Sequence, residues 1–444
     1  MNWQMAIISF FLLSVGCAGL PQALAASGNG PSGDGASREG SPLTLPEALS
    51  RVFQSNPEMA VSELEIQAAS ARVLQAGLKP NPEFSAKAED FAAMGGTGLS
   101  SYTESTVEVS QRLELGGKRQ KRIAAAEKEM GIASRAREVK KAELTAAISH
   151  AFVDVLAGQE RLANQRELNQ LARQAHSTVV ERVAAGKVSP VEQTRATVAL
   201  ASSELAEEKQ LRGLLAAKDR LAALWGGAGR DFDRVAGRFE IPLVPSGLAE
   251  PCSDSNANLK LAAATVDFNR AILDLEQAAR KPDVTVSAGF RHLNLEDVSA
   301  WVASVSIPLP VFDKRQGAIA EARIRVDKSL SEKKAVEWRL HSGLNQARQD
   351  REIALLEANI LTRTALPAAR EALAAVEEGY RFGKFDFLNV LDAQRTHAEL
   401  QRQYIEAVAS GLKAAIEIER LAGCGSPADP SAQARDTKET THEE

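Results

Sequence analysis

Two halves of this chain carry the same landmarks in the same order, about 200 residues apart. Asn56 precedes a helical pattern ending at Lys79-Pro80, and Asn258 precedes one ending at Lys281-Pro282, an offset of 202. The segment from Ser110 to Arg119 (SQRLELGGKR) returns as Ser306 to Arg315 (SIPLPVFDKR), offset by 196. Ala185-Gly186-Lys187-Val188 returns as Phe382-Gly383-Lys384-Phe385, and Leu224-Trp225-Gly226 as Leu421-Ala422-Gly423, both offset by 197. Register kept over so long a stretch means internal duplication. The 444 residues therefore predict one pseudo-symmetric body of two halves, residues 43–227 and 254–424, joined by a linker over 228–253.

Aromatic residues make up only 5% of the chain, and much of its 44% apolar content is alanine. Small side chains let helices approach closely but bury too little area for a large central core. That composition suits long packed helices and argues against a compact enzyme. No nucleic-acid partner is expected.

The ends have their own signatures. Residues 1–25 read as an export signal: Ala6 to Leu20 is apolar but short for a membrane span, and Ala23-Leu24-Ala25 has the small-x-small pattern of a cleavage site. No Lys or Arg precedes the apolar run, and Cys17 after Val15-Gly16 offers a rival reading as a lipid-modified cysteine. Residues 26–42 form a Gly- and Ser-rich flexible spacer, and 425–444 a polar tail without apolar period, read as disordered. No later stretch reaches 18 apolar residues, so any membrane crossing would have to be a β-barrel. Cys252 and Cys424 flank the second half; a disulfide between them and two unpaired thiols are both open.

Each half predicts helix, two strands, very long helix, tight turn, helix. In the first, Leu45 to Leu78 is helical and is stopped by Lys79-Pro80-Asn81-Pro82. Glu83 to Phe91 and Thr103 to Leu113 follow as strands, and Asp283 to Arg291 and Trp301 to Leu309 are their copies. Alternation over roughly nine residues marks half-buried strands, and about 9–11 tilted residues also cross a bilayer. Four strands cannot close a barrel, since the smallest have about eight; lipid-facing strands would require several chains to share one. A soluble pair of hairpins packed on helices is the alternative.

From Lys118 to Ala185 there is no proline, which predicts a helix on the order of 100 Å long. Leu391, Ala398, Ile405 and Leu412 stand seven apart, as in a coiled coil. Pro367 should kink the second long helix, whereas its counterpart Gln170 should not. Gly186 and Gly383 suit left-handed helix ends, and Ser189 and Asp386 suit the following N-caps.

No catalytic or metal-ligand constellation appears and no cofactor is expected. The six histidines, at 150, 176, 292, 341, 397 and 442, form no ligand pair and read as solvated or satisfied at helix surfaces. Gly116-Gly117-Lys118 lacks the rest of a phosphate loop and reads as a strand-to-helix turn. Asn389 and Asp392, spaced i, i+3, share one helix face and on spacing alone read as solvated.

Tyr380 to Gln394 (YRFGKFDFLNVLDAQ), with the repeat around it, resembles the TolC-like outer-membrane factors over about residues 43 to 424. The resemblance implies a mainly α chain with a small β part, internally duplicated, that forms a homotrimer. Twelve strands, four per chain, would make an outer-membrane β-barrel in contact with lipid, continued by a long periplasmic α-helical barrel. It implies a passive exit duct working with a periplasmic adaptor protein and an inner-membrane RND transporter. Adaptor hairpins would dock at the tips, at Gly186, Lys187, Tyr380, Gly383 and Lys384, and Asp392, Asn389 and Glu192 would line the pore constriction. Leu113 to Arg119 and Val305 to Asp313, followed by Gln316-Gly317, look like the CzcC-type members that serve heavy-metal efflux. A duct for a drug or type I protein exporter, and a periplasmic coiled-coil scaffold, are the alternatives.

Overall fold

The computed structural model describes residues 42–89, 103–227, 231–242, 255–294 and 296–423. Cys17, Cys252 and Cys424 lie outside the described residues. The first half contains β1 (Leu43–Thr44), α1 (Leu45–Ser55), α2 (Pro57–Ala76), β2 (Glu83–Glu89), β3 (Glu104–Leu113), α3 (Lys118–Ala184) and α4 (Pro190–Ala223). The short β4 (Val235–Ala236) then pairs in parallel with β1. The second half contains α5 (Ala257–Ala279), β5 (Val284–Leu293), β6 (Val298–Ser306), α6 (Gln316–Ile360), a π-helical turn (Leu361–Ala365), α7 (Leu366–Arg381) and α8 (Phe387–Ala422).

The helix expected over 45–78 is split at Asn56. Pro57 cannot donate a backbone hydrogen bond and holds the preceding residue extended, so the chain turns there and restarts. Asn56 caps α2 through Oδ1, which accepts from Glu58 N–H at 2.8 Å, while its Nδ2 donates to Leu224 O at the end of α4, also at 2.8 Å. In the second half the residue doing this is Asn256, not Asn258. Its Oδ1 accepts from the Asn258 and Leu259 amides, and its Nδ2 donates to Leu421 O at 2.9 Å, at the end of α8. The sequence offset of 202 holds for the far end of these helices and slips by two at their start. Gly423 permits the approach: a Cβ there would lie 2.7 Å from the Asn256 backbone, and its φ is +69°.

These two asparagines splice α4 end-on to α2, and α8 end-on to α5. The long helices run past both splices. Packing is α2 and α4 on α3, α3 on α5 and α8, and α5 and α8 on α6 and α7. The result is four columns in the order α2/α4, α3, α5/α8, α6/α7. The largest cluster of buried apolar side chains sits at the level of the first splice, where Val52, Ile148, Phe152, Val155 and Leu221 meet Phe232 and Val235.

The second long helix departs from the first at Pro367. Helix α3 runs unbroken for 67 residues through Gln170. In the other, Leu366 N–H donates five residues back to Leu361 O, the wide turn of a π-helix. Pro367 has no N–H and its ring collides with the carbonyl four residues earlier in a regular helix, so one widened turn relieves both faults.

The four longer strands form one antiparallel sheet in the order β2-β3-β5-β6. Register puts Phe84, Val109, Ala288 and Ala303 in one row, and Ala86, Val107, Phe290 and Trp301 in the next, all on one face. That face is uncovered: Phe84 is 70% exposed and Trp301 85%. The opposite face is polar and bonded across β2, β3 and β5, while β6 brings Val298, Ala300 and Val302 to it. Glu108 accepts from Ser85 and Ser287, and Arg291 reaches Thr106 and Glu104. Among the described residues, β2 and β6 have no outer partner strand and form the edges. At the foot of the sheet Gly116 and Gly117 take positive φ, and Lys118 pairs with Asp283 at 2.6 Å. Arg119 and Arg122 donate to the Gly77, Ala76 and Leu78 carbonyls at the end of α2. This Gly-Gly-Lys is thus a strand-to-helix turn.

Asn256→Ala should remove both cap and splice and lower the melting point, with a cost on the order of 1–2 kcal/mol. Asn258→Ala, which loses no side-chain cap, should melt like the unaltered protein; calorimetry of the two variants separates them.

Candidate functional site

The ends of the long helices farthest from the sheet are two hairpin turns built alike. In the first, Gly186 has φ +68°, Lys187 N–H donates to Arg182 O at 2.9 Å, and Gly186 N–H to Val183 O at 2.9 Å. In the second, Gly383 has φ +75°, Lys384 N–H donates to Gly379 O at 2.8 Å, and Gly383 N–H to Tyr380 O at 3.0 Å. Each closes its helix with paired bonds around a left-handed residue that favours glycine. Ser189 caps α4 by accepting from Val191 N–H. Asp386 sits at the N-cap of α8 but its side chain makes no cap bond.

The two hairpins are bolted together through Tyr380. Its phenol donates to Glu192 Oε2 at 3.1 Å, and its ring carries the Arg182 guanidinium 4.3 Å above it. Arg182 also donates to the Tyr380 carbonyl. Below lies an apolar cluster of Val179, Ala196, Tyr380, Phe387 and Val390. Gly379 leaves room for Phe385, whose ring a Cβ would meet at 2.3 Å. Burial, then the bond to Glu192, pushes the Tyr380 phenol up to about 12.

The residues expected at the constriction separate into two groups. Glu192 is half-buried and engaged by Tyr380, whereas Asn389 and Asp392 are exposed on one face of α8. Among the described residues, nothing bonds the Asp392 carboxylate. Of the expected docking residues, Gly186, Lys187, Gly383 and Lys384 are exposed and Tyr380 is buried. Sequence reasoning missed Arg182 and Phe385. The repeat held a signal for Arg182: at the offset of 197 its counterpart is Gly379, so the two tips must pack differently.

One histidine corrects the sequence reading. His397 on α8 is 5% exposed, and among the described residues neither ring nitrogen has a hydrogen-bond partner. Burial, then Arg370 on α7, holds it below the ordinary value, against a smaller opposing pull from Glu167 on α3. His150, by contrast, meets Glu417 at 3.0 Å, His176 meets Thr197, His292 meets Ser299 and His341 meets Asn345; His442 is outside the described residues. No group of three or more His, Cys, Asp or Glu side chains among the described residues is placed to hold a metal ion. No helix there is long and apolar enough to cross a membrane.

A stack of helices that continues an open sheet, apolar on one face and polar on the other, is the architecture of an outer-membrane channel subunit. The sequence model of the outer membrane efflux protein family matches residues 48–227 and 252–424, and the chain belongs to that family. The family comprises efflux channels of the outer membrane, reaching into the periplasm, and not enzymes. Among curated proteins, the chain is 33% identical to the cobalt-zinc-cadmium resistance protein CzcC of Cupriavidus metallidurans, over 86% of this chain and 90% of that protein. It is 28% identical to the nickel and cobalt resistance protein CnrC of the same organism, over 64% of this chain and 67% of that one. Among solved structures, a membrane protein from Pseudomonas aeruginosa superposes with a TM-score of 0.73 at 19% identity, covering 85% of this chain and 92% of that one.

Two titrations test the site. The Tyr380–Glu192 bond is kept below pH 10 and lost as the pH rises through about 12. The chain has three tyrosines, so the phenolate absorbance of the unaltered protein minus that of Tyr380→Phe should titrate near 12; a difference titrating near 10 contradicts the buried bond. For His397, both folded and unfolded states are neutral above the ordinary histidine value of 6.5, and stability drains away as the pH falls through the depressed folded value. His397→Leu should remove that acid-side loss and gain on the order of 1 kcal/mol, measured by thermal melts from pH 7.5 to 5.

Proposed function

We propose that three copies of this chain close into a duct through which an RND-type pump, reached by a periplasmic adaptor, expels heavy-metal cations across the outer membrane. The observation that carries the closure is the sheet: a four-strand array with both edges unpaired and its apolar face bare among the described residues. Two copies would give eight strands, whose interior side chains fill such a barrel; three give twelve and leave an aqueous lumen for the polar face. The helix columns run in the same order as the strands, so α2/α4 of one copy meets α6/α7 of the next wherever β2 meets β6.

The cargo rests on the relatives, whose names specify cobalt, zinc, cadmium and nickel. A duct has no need of a tight metal site, because a passage conducts only what it releases. At the tip, three exposed Asp392 carboxylates would form a ring that holds cations and repels anions, while Asn389 adds no charge. At the offset of 197 their counterparts in the first hairpin are Arg195 and Glu192. Glu192 is occupied by Tyr380, which leaves Asp392 as the free carboxylate of the set. The exposed turns at Gly186-Lys187 and Gly383-Lys384 are where adaptor hairpins would dock, and drawing the hairpins apart must break the Tyr380–Glu192 bolt.

A deletion strain should become sensitive to one or more of zinc, cadmium, cobalt, nickel, copper or silver, and recover with the plasmid-borne gene. Sensitivity to drugs alone contradicts the metal cargo. In planar bilayers, Asp392→Ala should reduce cation selectivity and divalent-cation block of the single channel; unchanged values place the ring elsewhere.

A further inference from the structure

The duplication carries an inference about the seam between copies, resting on the closed assembly just proposed. Two offsets describe the sheet: first strands are related by 202, as Pro80 is to Pro282, and second strands by 196, as Ser110 is to Ser306. The hairpins obey both. Phe84 pairs with Val109, and applying 202 and 196 gives Val286 and Val305, which are also paired. The β3–β5 pairing is therefore an interface between first half and second half, already present inside the chain. The same operation applied again gives the interface between the second half of one copy and the first half of the next.

We infer that β6 pairs antiparallel with the partner's β2 in the register Ser304 opposite the partner's Lys87. It follows from Glu108↔Gly289 within the chain, moved forward by 196 and back by 202. Val109↔Ala288 likewise sets Val305 opposite the partner's Ala86, and Val107↔Phe290 sets Ala303 opposite the partner's Ala88. The apolar faces of the two copies then run on into one another, as do the opposite faces, where the partner's Glu89 falls against Val302; a slip of one residue would break that continuity. Side-chain size agrees independently. Inside the chain a long side chain, Glu108, lies over Gly289, where a Cβ would come 2.6 Å from the Glu108 Cβ. Across the seam the sizes are exchanged, a small Ser304 against a long lysine, and the row again has room.

The charges are not conserved by the operation. The inner seam is held by Lys118–Asp283 at 2.6 Å and Arg291–Glu104 at 3.3 Å. Their images between copies are Lys314 against the partner's Asn81, and the partner's Glu89 against Ala300. Lys314 is exposed and, among the described residues, makes no ion pair within the chain. The subunit seam thus rests on backbone bonds and the apolar face, without the ion pairs of the inner one.

Oxidative cross-linking tests the register in full-length protein with Cys252→Ser and Cys424→Ser, and the Ser304→Cys single variant serves as the control for any link made through Cys17. Ser304→Cys with Lys87→Cys should give covalent dimers and trimers on non-reducing gels. Ser304→Cys with Ser85→Cys or with Glu89→Cys, two residues off on the same face, should cross-link several-fold less, because a disulfide needs Cα atoms within about 7 Å. Preferential linking of either shifted pair overturns the register while leaving the shared barrel. No linking of any pair, in preparations whose mass is that of three copies, overturns the β6–β2 pairing itself. Absence of any three-copy species overturns the assembly on which the register rests.

Discussion

A sheet with one bare apolar face and two unpaired edges is the constraint on which the rest of this structure depends. In water such a sheet exposes aromatic side chains and offers open backbone donors and acceptors at both edges, which invites aggregation. In lipid the bare face is satisfied, but the edges then cost still more, because no water reaches them. Only closure answers both demands. Four strands cannot close by themselves, so the chain must supply matching edges that neighbours complete, and internal duplication provides that economically. A pairing that already works between the two halves works again between copies.

The helical part extends this logic away from the membrane. Each half contributes one long helix and one column made of two shorter helices, spliced by an asparagine that caps one helix and binds the last carbonyls of the other. The splice lets the chain leave the column for the sheet and return far below it. Both asparagines do the same work with the same atoms, yet the two halves are mechanically distinct. The first long helix is a continuous rod, whereas the second carries a widened turn ahead of Pro367. At the tip the two are tied by Tyr380, Glu192 and Arg182, contributed by three different helices.

Much of the architecture was legible in the sequence because duplication doubles every local signal. Period-two alternation in two copies located the strands within a few residues, and the prolines and glycines located the turns. Pro367 announced an interruption, although only the structure shows that a π-helical turn absorbs it. What escaped were features set by long-range packing. Asn56 and Asn256 are equivalent through the carbonyls they reach, 168 and 165 residues away in sequence, and the neighbouring Asn258 offered a plausible but shifted match. His397 looked like a surface histidine because its burial depends on α3 and α7, not on its own helix. Arg182 was not singled out in the sequence, and only the neighbouring hairpin gives it an aromatic ring to cover. At the site the glycine turns were readable, while the separation of Glu192 from Asp392 was not.

The most direct test of this account is the mass of the detergent-extracted protein by light scattering with the detergent contribution removed. Extraction from the outer membrane as a particle of three chains is the expected result, since only a shared barrel can satisfy the bare face and free edges. A monodisperse single chain that stays soluble without detergent would contradict it, for it would mean that the sheet is covered from within the chain.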